Sequence, residues 1–598
     1  MQQIEAGLPA VNAGWGKIPS TSQFPRLWAV GVCISTFLAY VATLRFQFVH
    51  DDRGIIVENP ATHSWHAVPG YFASGVWGGV VPGFLANAYR PIYLLWFRIN
   101  DAIFGPHAAG WHFTSVVAHV VATYCVILLA HRIFGEWPPA LFSGVVFGLH
   151  PIHIESVAWI SGVDDPLVAG LIIPAYLCWL RSRENGDQAR RWVGASLALY
   201  GVAMFTKEIA IVLPLILFVS LWLDFPSSLE PRPRGSTQRF LQALKVLLPF
   251  IALTAAYLTV RMAVLRGFWQ PAAHISWLTV VLTWPSLLGF YAKLLLWPVG
   301  LSPFYGLEYV LHPAWRNTIL PALALLLVAG GLWRWGSHSR SVALMIPWLI
   351  VPLLPVLNVQ VFGNGNFAHN RYLYLPSVGF AMLVAEALRT IRVGRQYFGV
   401  ISSFQTWIAI GLALVLGLAI NVEDRYYSSD AAFYSLAYSR VGRSYPVIGM
   451  DYANTLAEQG DFVQAAGIYR ELIKAWPNMW AAYFNLGYMY YQQGDLDSAM
   501  HYFSRTATGD PANAAAIFYL GLADLKLHHL DEAEANLRRA IVLAPTASNY
   551  HFALGMVLQV KGDGSGAVAE FARELEVNPA NQAAAQQAEE IRRQKAGK

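Results

Sequence analysis

The stretch "FQFVHDDRGIIVENP", residues 46–60, places two adjacent aspartates where an apolar segment of roughly twenty residues ends. What surrounds that pair decides the fold. The segment, Leu27 to Leu44, is too long for the core of a signal peptide, and no A-x-A-like site follows it, so it reads as a retained first helix behind a cytoplasmic segment 1–26. Similar runs recur as far as Ile420 and then stop. Of the 598 residues only 13% are charged, about half the ordinary fraction, and 56% are hydrophobic, which is the composition of a membrane protein. Cys33, Cys125 and Cys178 all lie in apolar segments, so no disulfide framework is expected.

Apolar runs fall at 27–48, 110–131, 138–150, 164–181, 192–206, 208–224, 241–264, 342–360, 372–389 and 400–421, with further candidates at 277–297 and 317–333. Short basic connections separate several of them: "RSRENGDQARR", "EPRPRGSTQR", "RWGSHSR" and "TIRVGRQ". By the positive-inside rule these face the cytoplasm. The net charge of +5 therefore reports topology, and no nucleic-acid partner is expected. An even number of crossings must join Arg239 to Arg334, yet three apolar runs lie between them. One should lie in the interface or re-enter, and 277–297, with Lys293 and Pro285, is the better candidate. About eleven crossings result, an odd number. The HDD stretch, the 150–165 loop, "GNGNFAHNRY" (363–372) and everything beyond about 422 then share the side opposite the cytoplasm, a periplasm or a lumen.

Beyond a linker at 422–443 the composition turns soluble and a period appears. Pro477, Pro511, Pro545 and Pro579 recur every 34 residues, and Gly487, Gly521 and Gly555 keep the same step. That is the tetratricopeptide period, with small residues such as Gly487 and Ala499 where paired helices cross. About four units over 444–581, with 582–598 as a capping helix or tail, should stack into an α-solenoid whose concave face takes an extended segment or a protein. Departures are Ala453 at the glycine position of the first unit and His528 where glycine is usual in the third. The fold class is all-α: a polytopic membrane domain over 27–421 with a C-terminal solenoid.

Acids, bases and cations gather in the outer plane. Carboxylates in lipid are costly, so Asp51 and Asp52 must face water, a partner or a cavity. "YRPIYLLWFRIND" (89–101) is an amphipathic stretch carrying Arg90 and Arg98, and "HPIHIESVAW" sets His150, His153 and Glu155 at another outer helix end. Zinc catalysis is not expected there, because HExxH is absent and Pro151 interrupts the spacing. Lys207 and Glu208 are either an adjacent ion pair or part of the cavity. Arg371 either anchors a helix at the interface or clamps a phosphate with its planar fork. No P-loop occurs, so ATP-driven transport has no support. Group transfer from a lipid phosphate suits this set: a cation holds the phosphate while an aspartate takes the proton of an incoming hydroxyl.

The ordered motifs "FVHDDRGIIVENP", "YRPIYLLWFRIN", "LHPIHIESVAWISGVDD", "FTKEIAIVLPL" and "RYLYLPSVGF", ending in tetratricopeptide repeats, resemble the transmembrane and tetratricopeptide repeat-containing O-mannosyltransferases and their bacterial relatives, within the GT-C glycosyltransferases. The resemblance runs from about 27 to 580 and is weakest over 225–340. It implies a GT-C-like inverting transferase that moves a mannose-like sugar from a polyprenyl or dolichyl phosphate donor to Ser or Thr hydroxyls on the outer face. The family's catalytic acidic residue falls on Asp51, which would be the general base, with Asp52 as the neighbour that orients it or holds the acceptor. A divalent ion is left open, with Asp51 and Asp52 as its ligands if one is used. Donor-phosphate candidates are Arg371, Lys207 and Arg90, and the cavity or acceptor set is His50, His150, His153, Glu155, Glu208 and Tyr372. "SGVDDP" departs from the arginine-containing pattern that the resemblance leads one to expect. Expected partners are the bilayer (the inner membrane if the source is bacterial), the lipid-linked sugar, and a protein acceptor or envelope partner through the repeats. Two alternatives remain at this stage: a degenerate membrane-anchored repeat scaffold, and transfer to lipid or glycan.

Overall fold

The computed structural model describes residues 23–78, 87–184, 187–223, 236–267, 274–390, 403–442 and 444–596. Most of the expected N-terminal segment 1–26, and parts of the basic loops after 184, 223 and 390, lie outside these. The chain divides into two compact units, Met1–Phe433 and Tyr434–Lys598.

The first unit is a helical bundle whose two ends differ chemically. At one end Arg132 pairs with Glu184, and Arg389 with Glu136 (3.4 Å) and Glu386 (2.7 Å). At the other lie Asp52, Arg90, Asp164, Lys207 and Arg371. Between the ends the core is apolar, built from side chains such as Ile127, Phe147, Ile172, Tyr176, Leu213 and Trp348. Inside it Tyr176 is paired with Ser220 (2.8 Å) and His119 with Tyr374 (2.6 Å), because an unpaired polar group there would cost several kcal/mol. Tight packing brings Pro376–Thr390 onto Arg340–Ile350 at Gly379, where a Cβ would stand 2.4 Å from the Leu349 nitrogen.

Seven described helices are long and apolar enough to cross a bilayer, and an eighth span arises if the bent pair Trp137–Gly148 and Pro151–Ala158 counts as one. Shorter apolar helices, Leu27–Ala39 and Glu208–Trp222, complete the bundle. Trp277–Leu296 passes the same test of length, and Pro285 does not break it. Its two flanks are nevertheless tied to the same end of the bundle. The Ile275 carbonyl accepts from Gln360, the Leu295 carbonyl accepts from His150, and the Gly300 N–H donates to Glu423. All three partners lie at or beside the polar end. Trp315–His338, with none of its apolar window buried, instead leads from it into the tight turn at Ser339.

The second unit consists of four helix pairs, Pro446–Glu458 with Phe462–Ala475, Trp480–Gln493 with Leu496–Gly509, Ala514–Lys526 with Leu530–Leu543, and Tyr550–Val560 with Gly564–Val577. A further helix, Gln582–Ala596, buries Ala584, Ala588 and Ile591 against the last pairs. The paired helices cross at the repeated glycines; a Cβ on Gly555 would stand 2.5 Å from the Phe571 ring. Between the helices of each pair the chain turns through a left-handed residue, Gly460, Gly494 and Gly562, and His528 takes the same place at φ 61°. The position that departs from the repeat pattern thus keeps the backbone of the pattern, at a steric cost that glycine would avoid. Asp461, Asp495 and Asp563 follow the three glycines and cap the next helix by accepting its third N–H.

Candidate active site

Asp51 lies in the turn that follows the first helix. His50, at φ 50°, reverses the chain, and the Asp52 and Arg53 amides close the turn onto the Val49 and His50 carbonyls. Successive side chains in such a turn point apart, and the two aspartates have different fates. Asp52 is fully buried: one oxygen accepts the Ser161 N–H (2.8 Å) and the Ser161 hydroxyl, the other the Val49 N–H (3.1 Å). It pins the turn to the 159–163 segment. Asp51, a third exposed, instead borders a cavity of about 390 Å³ lined by His50, Trp77, Trp159, Phe304, Asn366, His369 and Arg371. That size is within the range of small-ligand sites, and the walls are aromatic with a few polar groups.

Across this lining stands Arg371. Its guanidinium lies 5.3 Å from the Trp159 ring centre and 5.8 Å from that of Tyr372, with Nε 3.4 Å from a Glu155 oxygen. Glu155 is fully buried behind it, and its other oxygen accepts the Asn370 and Arg371 N–H groups. Burial works against the charge of Arg371, but Glu155, Tyr372 and the more distant Asp164 and Asp51 together outweigh it and raise the pKa. His369 is pushed well below its ordinary value, first by burial and then by Arg371, so it lines the cavity as a neutral imidazole.

The other expected cations are engaged elsewhere. Lys207 reaches Asp165 (2.5 Å) and Asp164 (3.2 Å), and Arg90 takes Glu208 through two nitrogens (2.8 and 2.5 Å) and Asp164 through the third (2.7 Å). Two cations and three carboxylates thus form a closed network among the described residues. The aspartates are those of "SGVDDP", so the segment that departs from the family pattern supplies counterions to Lys207 and Arg90. Neither cation is in the lining of this cavity, and Glu208 belongs to the same network.

Further corrections concern the histidines. His150 accepts the Ile152 N–H at Nδ1 and donates from Nε2 to the Leu295 carbonyl. His153 bonds Ser377 through Nε2 and packs against Phe147 and Tyr374. Pro151 turns this segment into the bundle, so both rings are buried rather than in the cavity wall. Tyr372 packs on Phe362 and His369, beside the lining. Of the expected cavity or acceptor set, His50 alone is in the lining, its Nε2 3.5 Å from Asp51. Both Asp52 oxygens accept hydrogen bonds, whereas Asp51 faces the cavity. No group of three or more metal-ligating side chains occurs among the described residues. Trp77, Trp159, Phe304, Asn366 and His369 were not singled out by sequence reasoning.

Asp52 yields a prediction of its own. Burial pushes its pKa from 3.8 up to about 7, against the pull of its three hydrogen bonds. Between those values the folded chain keeps a proton that the unfolded chain has released, so the contribution of this group to stability falls as pH rises from about 4 to about 7 and is level above. Thermal unfolding in detergent across that window should show this slope, and Asp52→Asn should remove it. Asp52→Ala strands three buried donors and should cost roughly 2–4 kcal/mol; an unaltered unfolding temperature would refute the anchoring role.

Residues 89–252 match the family described as dolichyl-phosphate-mannose-protein mannosyltransferase, and residues 451–514 match a tetratricopeptide repeat family. Among curated proteins, Protein O-mannosyl-transferase TMTC1 of Mus musculus is 26% identical over 552 residues, covering 75% of this chain and 58% of that protein. Protein O-mannosyl-transferase TMTC3 of Mus musculus is 24% identical, covering 85% and 54%. The chain therefore spans a little over half the length of these relatives. Protein O-mannosyl-transferase Tmtc2 of Drosophila melanogaster is 33% identical over 191 residues, 31% of this chain and 20% of that one. A mannosyltransferase-type region and tetratricopeptide repeats thus occur in one chain, whose sequence is similar to these protein O-mannosyl-transferases.

Proposed function

We propose that the chain transfers mannose from a polyprenyl-phosphate donor to a Ser or Thr hydroxyl of a protein, on the side of the membrane where the cavity opens. The observation that carries this reading is the pairing of Asp51 and Arg371 on one aromatic-lined cavity at the polar end of the bundle. The acceptor oxygen attacks the anomeric carbon and its proton passes to the Asp51 carboxylate. The bond from that carbon to the donor phosphate breaks with inversion, and the electron pair leaves on the phosphate, held by Arg371. Trp77, Trp159 and Phe304 offer faces for the sugar ring. The short basic loops favour a cytoplasmic opposite end, which supports a periplasmic or lumenal cavity.

The test is transfer of radiolabelled mannose from polyprenyl-phosphate donors to membrane and periplasmic protein extracts by the purified chain. Label in protein that depends on Asp51 supports the reading. Label confined to lipid or glycan keeps the mechanism and replaces the acceptor; no donor consumption favours the scaffold. Deleting 444–598 should depress transfer to protein at least tenfold more than donor hydrolysis if the repeats present the acceptor. Equal loss of both would assign them to folding.

A further inference from the structure

The turn that presents Asp51 is held from the far end of the first unit. The Gln47 N–H donates to the Ser428 carbonyl at 3.1 Å, and the His50 N–H donates to Asp430 Oδ1 at 2.8 Å. Asp430 Oδ2 lies 2.9 Å from Arg53 Nε, so one carboxylate grips the chain on both sides of Asp51. Asp430 is buried, with its side chain 9% exposed. His50 keeps a left-handed φ of 50°, which side-chain-bearing residues adopt only when their surroundings impose it. Its ring stacks on Phe433, with centroids 5.2 Å apart and planes at 21°. Phe433 also meets Trp159 and Phe304 of the cavity lining. Residues 428–433 precede or open the helix Asp430–Val441, which leads toward the first repeat helix, Pro446–Glu458.

We propose that Asp430 is a positioning residue for Asp51: it holds His50 in the left-handed conformation through which the Asp51 side chain reaches the cavity. This rests on Asp51 being the base of the proposed reaction. If His50 relaxed to an ordinary backbone basin, the peptide before Asp51 would rotate and carry the carboxylate out of line with the acceptor. Arg371 lies outside this clasp, so donor binding should not depend on it.

The experiment compares full-length protein with Asp430→Ala and Asp430→Asn, using peptide-resolved hydrogen exchange and steady-state transfer from a polyprenyl-phosphate mannose donor. In Asp430→Ala, exchange over 47–57 should quicken about tenfold while the rest of the first unit exchanges as before. Turnover should fall at least about tenfold with donor KM within about twofold. Asn still offers an oxygen to the His50 N–H and should recover most of both. Unchanged exchange over 47–57, loosening spread through the whole unit, or an Asn variant as impaired as Ala would overturn the proposal. Exchange is read without turnover, so a wild-type chain that transfers no sugar overturns the base reading alone.

Discussion

Asp51→Asn should remove sugar transfer while the protein still inserts, folds and takes up its donor. An amide has the size of the carboxylate but cannot accept the proton of an attacking hydroxyl, and loss of a general base typically lowers turnover by about 10²–10⁴. The fold has little reason to respond. Asp51 is a third exposed, and its carboxylate lies 3.5 Å from the His50 ring. Asp52, by contrast, holds one donor in the turn and two on Ser161 and should register mainly in stability. The pair supplies an internal control: kcat should collapse in Asp51→Asn at constant unfolding temperature, and the unfolding temperature should drop in Asp52→Ala. If Asp51→Asn keeps more than about a tenth of wild-type turnover, another group takes the proton.

What was legible in the sequence was what depends on neighbours in sequence or on solvent. The repeats declare themselves by a period of 34, and their fold is local, each helix pair closing over a few tens of residues. Apolar runs declare the bundle, and Trp277–Leu296, which the parity of the basic loops sets apart, has the length and composition of a span. The outer plane of charge was also legible. Its pairing was not, because a charged residue announces its sign but not its partner. Lys207 meets Asp164 and Asp165 across 43 and 42 positions, and Arg90 meets Glu208 across 118. Asp430 meets the His50 amide across 380. Asp51 and Asp52 are equal in the sequence, and only the distant Ser161 separates the anchored carboxylate from the one facing the cavity.

The same reasoning fixes what Arg371 should do when changed. Arg90 and Lys207 are already paired with carboxylates, whereas Arg371 borders the cavity with its positive charge supported from behind by Glu155. If it holds the leaving phosphate, removing it withdraws a charge-assisted contact that strengthens as the bond to the sugar breaks. Arg371→Ala should then lower kcat/KM by about 10²–10³. That variant also leaves Glu155 buried without its cation, at a cost in stability, so loss of activity alone would be ambiguous. Two companions separate the effects. Arg371→Lys keeps the charge beside Glu155 but not the fork, so it should be stable and still impaired by about tenfold. Arg371→Met with Glu155→Gln removes both charges and should regain stability relative to Arg371→Ala while remaining inactive. Donor KM, kcat and unfolding temperature measured on all three decide the matter. A double variant that recovers turnover along with stability would make Arg371 a structural partner of Glu155, and the phosphate would have to be held by other groups.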